Sequence, residues 1–297
     1  MVSRREWLKR SLALPLATVL SPPSLFRSSS PHVAVVGAGA FGGWTALFLR
    51  RGGAKVTLLD AWGAGNSRAS SGGETRVIRA VYRDRRIYVL MASRALTLWR
   101  EHEARWGRKL YHRTGVLWMF QGDDTYARAS LRLVREAGLV VEELALPETR
   151  RRYPQVDFEG VATVFHEPEA GYLTARAACE VVREALVAEG GEYRLAAATP
   201  GPVSGAEMPA ILLSDGTTLR ADRFVFACGP WLGPLFPEVI GDLVRPTRQE
   251  VFFFGVPAGD GRFSEEALPV WVDFGERFVY GIPGNERRGF KVADDTP

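Results

Sequence analysis

A chain of 297 residues, 46% hydrophobic and 24% charged, is long enough for one large core or for two domains sharing an interface. The net charge of +4 is modest and sits partly in the N-terminal segment, so no nucleic-acid partner is expected, and Arg150-Arg151-Arg152 reads as a solvated face. Cys179, Cys228 and the four histidines at 32, 102, 112 and 166 lack metal-ligand spacing, so no metal site is expected, and no apolar run after residue 30 is long enough to cross a membrane.

In Ser3-Arg4-Arg5-Glu6-Trp7-Leu8-Lys9 a basic start precedes an apolar run from Ser11 to Leu20 and a polar exit at Ser21-Pro22-Pro23. Residues 1–30 therefore read as an export signal, too short for a stable transmembrane helix. The paired arginines resemble the bacterial twin-arginine signal. That implies the twin-arginine export machinery as a partner and a periplasmic or extracellular location, with membrane anchoring if the segment is retained. The alternative is an amphipathic N-terminal extension.

Val33-Ala34-Val35-Val36 is a continuous apolar run of the kind buried in a parallel sheet. It enters Gly37-Ala38-Gly39-Ala40-Phe41-Gly42, which fits G-x-G-x-x-G, and Ala46 to Leu49 continue at helical spacing until Gly52-Gly53. A second strand, Lys55 to Leu59, ends in Asp60. Each part has a chemical reason. Gly37 permits the tight turn, Gly39 lets backbone amides approach a pyrophosphate, and Gly42 lets the helix pack closely on the strand. The helix N-terminus, including Ala40 and Phe41, offers free N–H groups and partial positive charge to phosphates. Asp60, eighteen residues after Gly42, is placed to accept hydrogen bonds from a ribose diol and would repel a 2′-phosphate. The motif by itself does not separate FAD from NAD.

A small-residue loop with Ser70 and Ser71 then leads to Thr75-Arg76-Val77-Ile78-Arg79 and a long helix predicted from Asp84 to Arg105, with Ile87, Leu90, Met91, Leu98 and Trp99 on its apolar side. Further along, strands are predicted at Val116 to Phe120 and Val161 to Phe165, flanking a helix at Asp123 to Ala137. A helix at Ala175 to Ala188, an Ala/Gly/Pro-rich stretch from Ala196 to Pro209 expected to form a surface hairpin, and a strand at Phe224 to Ala227 follow. From Val244 the pattern is β-rich: Glu250 to Phe254, Val270 to Asp273, Phe278 to Gly281 and Phe290 to Val292.

Several of these stretches together resemble the sarcosine oxidase branch of the D-amino-acid oxidase-like FAD-dependent oxidoreductases. They are Gly73-Glu74-Thr75-Arg76-Val77-Ile78-Arg79, Thr114-Gly115-Val116-Leu117, Glu167-Pro168-Glu169-Ala170-Gly171 and Phe224 to Trp231. The resemblance implies an α/β fold in which a Rossmann-like FAD-binding domain (32–107 and 171–235) is interwoven with a β-rich, α+β substrate domain (108–170 and 244–297). It also implies FAD as cofactor. The activity would be oxidation of the C–N bond of a secondary amine or amino acid to an imine, with oxygen or a quinone as acceptor. Rival readings are an NAD-dependent dehydrogenase and a non-catalytic nucleotide-binding fragment.

By the same resemblance Ser70, Ser71, Thr75 and Arg76 join the motif residues around the cofactor, as do Ala227, Gly229 and Trp231. Arg76 would lie beside the flavin ring and Arg79 in the substrate cavity, where its planar fork suits a carboxylate; the alternative makes Arg79 a structural partner of Glu74. Tyr280 would line that cavity, and Lys291 would place a fixed positive charge where oxygen accepts electrons. Two departures weigh against sarcosine itself: Gly72 stands where the family has an active-site histidine, and Asp295 replaces another. Neither Cys179 nor Cys228 matches a flavin-attachment position, and the family continues beyond the point reached at Pro297, so the chain is expected to be a fragment, the alternative being a truncated, inactive protein.

Overall fold

The computed structural model describes residues 30–205, 207–286 and 288–296. The export signal, read at 1–30, falls almost wholly outside the described residues. From the described N-terminus, β1 (His32–Val36) runs into α1 (Ala40–Arg51) and β2 (Lys55–Asp60), and a short β3 (Arg76–Ile78) precedes α2 (Arg86–Trp106). The middle of the chain holds β4 (Tyr111–His112), β5 (Val116–Phe120), α3 (Thr125–Glu136), β6 (Glu142–Leu144), α4 (Leu146–Arg152), β7 (Thr163–Glu167) and β8 (Gly171–Leu173). Next come α5 (Ala175–Ala188), β9 (Glu192–Leu195), β10 (Ala198–Pro200), β11 (Ala210–Leu213), β12 (Thr218–Arg220) and β13 (Arg223–Phe226). The last four strands are β14 (Val251–Phe254), β15 (Val270–Phe274), β16 (Phe278–Ile282) and β17 (Phe290–Asp294).

Two large sheets organise these elements. The first is parallel, in the order β13-β1-β2-β9, with Val33 opposite both Val56 and Arg223. Its central strands β1 and β2 are buried along nearly their whole length, whereas the edge strands β9 and β13 are half-buried or exposed. On one face α1 and α5 pack through Ala46, Leu47, Val182 and Leu186. On the other, β11 and β12 bring Ile211, Leu213 and Leu219 against Ala34 and Val36. The second sheet is mixed, in the order β14-β17-β16-β15-β5-β7-β6, and only the β5–β15 pair in it is parallel. Its core packs Trp118, Phe120, Phe165, Val270, Val272 and Tyr172 with Ala80 and Val81. A small sheet, β3-β8-β4, connects the loop after β2 to the segment before β5. The fold is thus mixed α/β, with a parallel Rossmann-like layer beside a β-rich one.

Two details differ from the sequence reading. The strand expected at Val161 to Phe165 is β7, two residues further on, because Ala162 is tied to the Phe120 carbonyl and pairing begins at Thr163. Helix α2 buries Val89, Leu96, Trp99 and His102, whereas Ile87 and Met91 are 62% and 58% exposed and Leu90 is also exposed. Those three lie one or two residues from Val89, hence about 100° or more around the helix from the buried face. The hairpin expected around Ala196 to Pro209 is formed by β10 and β11, with Ala198 opposite Leu213.

Candidate cofactor and substrate site

The first sheet ends in a cleft of about 950 Å³ lined mainly by apolar groups, among them Val36, Trp44, Ala178, Val182, Phe226 and Leu232. Among its lining residues the charged side chains are Asp60 and Arg76. Small-ligand sites are commonly about 300–1,000 Å³ and combine apolar walls with a few polar groups. Gly37, Gly39, Ala40, Phe41, Ser70, Ser71, Ala227, Gly229 and Trp231 all line this cleft. Gly42 and Thr75 sit just outside the lining.

The turn after β1 shows why glycine occupies it. Gly37 has φ +102, and a Cβ there would overlap the Ala227 carbonyl. A Cβ on Gly42 would overlap the Gly37 carbonyl, so the first turn of α1 can rest on the strand end only without a side chain. At Gly39 the nearest obstacle is the Ser71 hydroxyl at 3.2 Å, leaving that position open to the cleft. Gly39 is also the N-cap and supplies no side-chain oxygen to the helix amides. Ser71 Oγ accepts from the Ala40 amide at 3.0 Å, holding the small-residue loop against the helix N-terminus.

Asp60 is more engaged than a bare ribose acceptor. Its Oδ2 accepts from the Ala38 amide at 2.8 Å, and Oδ1 accepts from the Trp62 and Gly63 amides at 2.9 and 3.0 Å. The carboxylate therefore ties the glycine turn to the loop after β2 while still lining the cleft. Trp62, which the sequence reading did not single out, stacks near Trp231 with ring centroids 4.8 Å apart. Two aromatic residues separated by most of the chain gave no local signal for this meeting.

These residues fit an extended FAD. The glycine turn can receive a pyrophosphate, and Thr75 Oγ1 is a buried hydroxyl with no hydrogen-bond partner among the described residues, beside the lining residue Arg76. Arg76 holds its own loop, donating to the Ser70 carbonyl at 2.8 Å and the Thr75 carbonyl at 2.9 Å. Cys179 and Cys228 also line the cleft, and burial pushes both thiols up to about 11, so they stay protonated near neutrality. Among the described residues no cluster of His, Cys, Asp and Glu could hold a metal ion.

The catalytic candidates gather beside the segment from Thr75 to Tyr82. Lys291, only 2% exposed on β17, donates from Nζ to the Thr75 carbonyl at 3.0 Å. Its Nζ lies 5.4 Å from the Tyr280 ring on the adjacent strand. Burial, followed by repulsion from Arg76, pulls the Lys291 ammonium down to about 8. Burial also raises the Tyr280 phenol. Arg79 donates to the Val81 carbonyl at 2.6 Å, and its guanidinium lies 4.1 Å over Tyr82 and 5.3 Å over Trp118. The alternative pairing of Arg79 with Glu74 is not what forms: Glu74 pairs with Arg176 at 3.3 Å and Arg288 at 3.5 Å.

The two departures also have places. Gly72 ends a single 3-10 turn, and a Cβ there would overlap the Asn66 carbonyl, so this loop cannot carry a histidine at that position. Asp295 is exposed, its amide donating to the Phe278 carbonyl at 2.7 Å, though its charge still reaches the Tyr280 phenol. Glu167, fully buried at the end of β7, escaped the sequence reading except as part of a motif. Its signal was an acid two residues after the buried Phe165 in the strand Thr-Val-Phe-His-Glu, and so on the same face.

Residues 32–294 match the family described as FAD dependent oxidoreductase (DAO). The chain belongs to that family. Its cofactor is FAD, which the lining of the cleft above fits. It is 28% identical over 269 residues to monomeric sarcosine oxidase of Bacillus sp. (strain B-0618), covering 89% of this chain and 68% of that protein. It is 26% identical over 252 residues to N-methyl-L-tryptophan oxidase of Yersinia pestis (strain Pestoides F), covering 84% of this chain and 66% of that protein. The chain thus spans about two thirds of the length of these curated relatives. Among solved structures, Amadoriase I of Aspergillus fumigatus superposes with a TM-score of 0.74 at 20% identity, over 91% of this chain and 64% of that one. L-proline dehydrogenase from P. horikoshii superposes with a TM-score of 0.71 at 15% identity, over 90% of this chain and 70% of that one. These two likenesses are of fold.

Proposed function

We propose that this FAD-dependent oxidoreductase oxidises the C–N bond of a secondary amine or amino acid to an imine, with oxygen as acceptor and hydrogen peroxide as product. The substrate loses a hydride from carbon and a proton from nitrogen, oxygen gains both, and water then hydrolyses the imine. Bound flavin supplies the hydride acceptor and passes two electrons onward. The chain's own residues bind, orient and supply charge.

The observation that carries this reading is the arrangement along residues 75–82. A buried lysine grips one end of the segment, and an arginine without an ion pair among the described residues stands at the other. Arg79 is suited to hold a substrate carboxylate through two parallel hydrogen bonds, fixing the amine carbon relative to the cofactor. Tyr280 contributes an apolar wall with a polar tip, and Lys291 a positive charge for the electron density gathering on oxygen. The names of the curated relatives support a substrate bearing a methylated or secondary amine. The paired arginines near the N-terminus support export of an already folded, cofactor-loaded protein.

The test is a flavin absorbance spectrum of the purified chain, followed anaerobically during addition of N-methyl and cyclic amino acids. Bleaching by one of them, with peroxide formed when air is readmitted, is the expected result. Bleaching without peroxide would move the acceptor to a quinone. No bleaching by any amine, in protein that retains FAD, would remove the proposed reaction.

A further inference from the structure

Buried carboxylates are costly unless something specific uses them. Glu167 is fully buried, forms no ion pair among the described residues, and stands outside the cofactor cleft. It closes β7 opposite Val116 of β5, so its backbone is fixed by a ladder on a central pair of the second sheet. One carboxylate oxygen accepts from the Ala80 amide, and the other accepts from the Trp118 indole Nε1 at 3.2 Å. Burial pushes its carboxyl up to about 7, and these hydrogen bonds and the Arg79 charge pull the other way.

The two groups it holds are those that define the surroundings of Arg79. β3 ends at Ile78, so the chain from Arg79 to Tyr82 has no ladder of its own, and Ala80 is anchored by the carboxylate instead. The Arg79 guanidinium rests against Tyr82 on this same segment and against the Trp118 ring. Glu167 therefore fixes both the stem that carries Arg79 and one wall of its cradle. It does so without neutralising the fork, whose only hydrogen bond among the described residues goes to Val81.

We propose that Glu167 is a positioning residue for Arg79: by clamping the Ala80 amide and the Trp118 indole it presents the unpaired guanidinium to a substrate carboxylate. This rests on the reading of Arg79 as the carboxylate-binding group, and it adds a specificity determinant for acidic over neutral ligands. A direct ion pair to Arg79 would have consumed the charge that the substrate needs. Anchoring through a backbone amide and an indole keeps that charge available.

The experiment measures binding of propionate and of propionamide to the FAD-loaded chain by calorimetry, in Glu167→Gln, Trp118→Phe, Arg79→Ala and the Glu167→Gln/Arg79→Ala double variant. Glu167→Gln leaves one clamped donor facing an amide NH₂, so propionate should weaken about tenfold while propionamide and FAD content stay within about twofold. Trp118→Phe keeps an aromatic face near Arg79 and removes the indole donor, giving a smaller loss of the same kind if Glu167→Gln does not fold. In the Arg79→Ala background, Glu167→Gln should have no further effect on propionate. An equal effect in that background, or equal weakening of both probes, would overturn the positioning role. If Arg79→Ala weakens propionate and Glu167→Gln does not, Glu167 alone is misread. If Arg79→Ala changes nothing, the carboxylate site itself falls, and Glu167 with it.

Discussion

Lys291 is the residue on which burial and chemistry conflict most directly. A lysine on a strand normally reaches water, yet its Nζ is enclosed between the Thr75 carbonyl and the Tyr280 ring. Its proton is held to about 10.5 in the unfolded chain and only to about 8 in the folded one. Between those values the unfolded state binds more protons, so this residue makes stability rise with pH through that window. Its effect on oxygen runs the other way, because the positive charge is lost above about pH 8. Flavin reoxidation should therefore slow as pH passes 8, and Lys291→Met should be slow throughout, by about 10²–10³-fold, with the pH step gone. Stopped-flow reoxidation beside anaerobic reduction checks this. Equal slowing of both half-reactions would remove the oxygen role.

At the scale of elements, the β1–α1–β2 unit shows how a fingerprint is enforced by contact. The helix can start where it does because Gly42 meets the Gly37 carbonyl and Gly37 meets the Ala227 carbonyl. Gly42→Ala must push α1 off the strand end, and overpacking of this kind costs about 1–3 kcal/mol. The first-turn amides of α1 would move with the helix, so FAD affinity should fall along with stability. Urea unfolding and FAD titration of the same variant measure the two together; a stable variant with unaltered FAD affinity would contradict this packing account. Gly39→Ala, by contrast, meets only the Ser71 hydroxyl, and the expected stability loss is smaller. The elements most visible in sequence were those with unbroken periodicity, such as β1, β2, β5 and α5. β3, β4 and β8 are two or three residues each, and they exist because they pair with one another.

Over the whole molecule, the cleft draws its walls from stretches far apart in the chain: the β1–α1 turn, the loop carrying Ser71 and Arg76, helix α5 and the segment after β13. A ligand that touches all of them binds the folded state and has little to hold in the unfolded chain. At a free concentration 100 times its Kd, FAD should then add about 2.7 kcal/mol to stability. Its removal should lower the thermal midpoint of the chain in one cooperative step. Calorimetry with and without FAD decides it: an unchanged midpoint at saturation would mean that the walls are not joined through the cofactor.

The amino-acid sequence by itself determined the nucleotide-binding turn, because Gly37, Gly39 and Gly42 are demanded by local backbone geometry and close approach. It also pointed to the family, the flavin, and the placing of Lys291, Tyr280, Arg76 and Arg79 as candidates. Tertiary structure decided what each of these touches. Asp60 is bound by three backbone amides, Glu74 turns to Arg176 and Arg288, and α2 buries Val89 where Ile87 and Met91 had been expected inside. The partners of Glu167 became visible only when β7, β5 and the chain after β3 were brought together. The physical reason is one of range. Turns, caps and periodicity are fixed by neighbours within a few residues, whereas the partner of a buried charge is chosen by the packing of segments tens of residues apart.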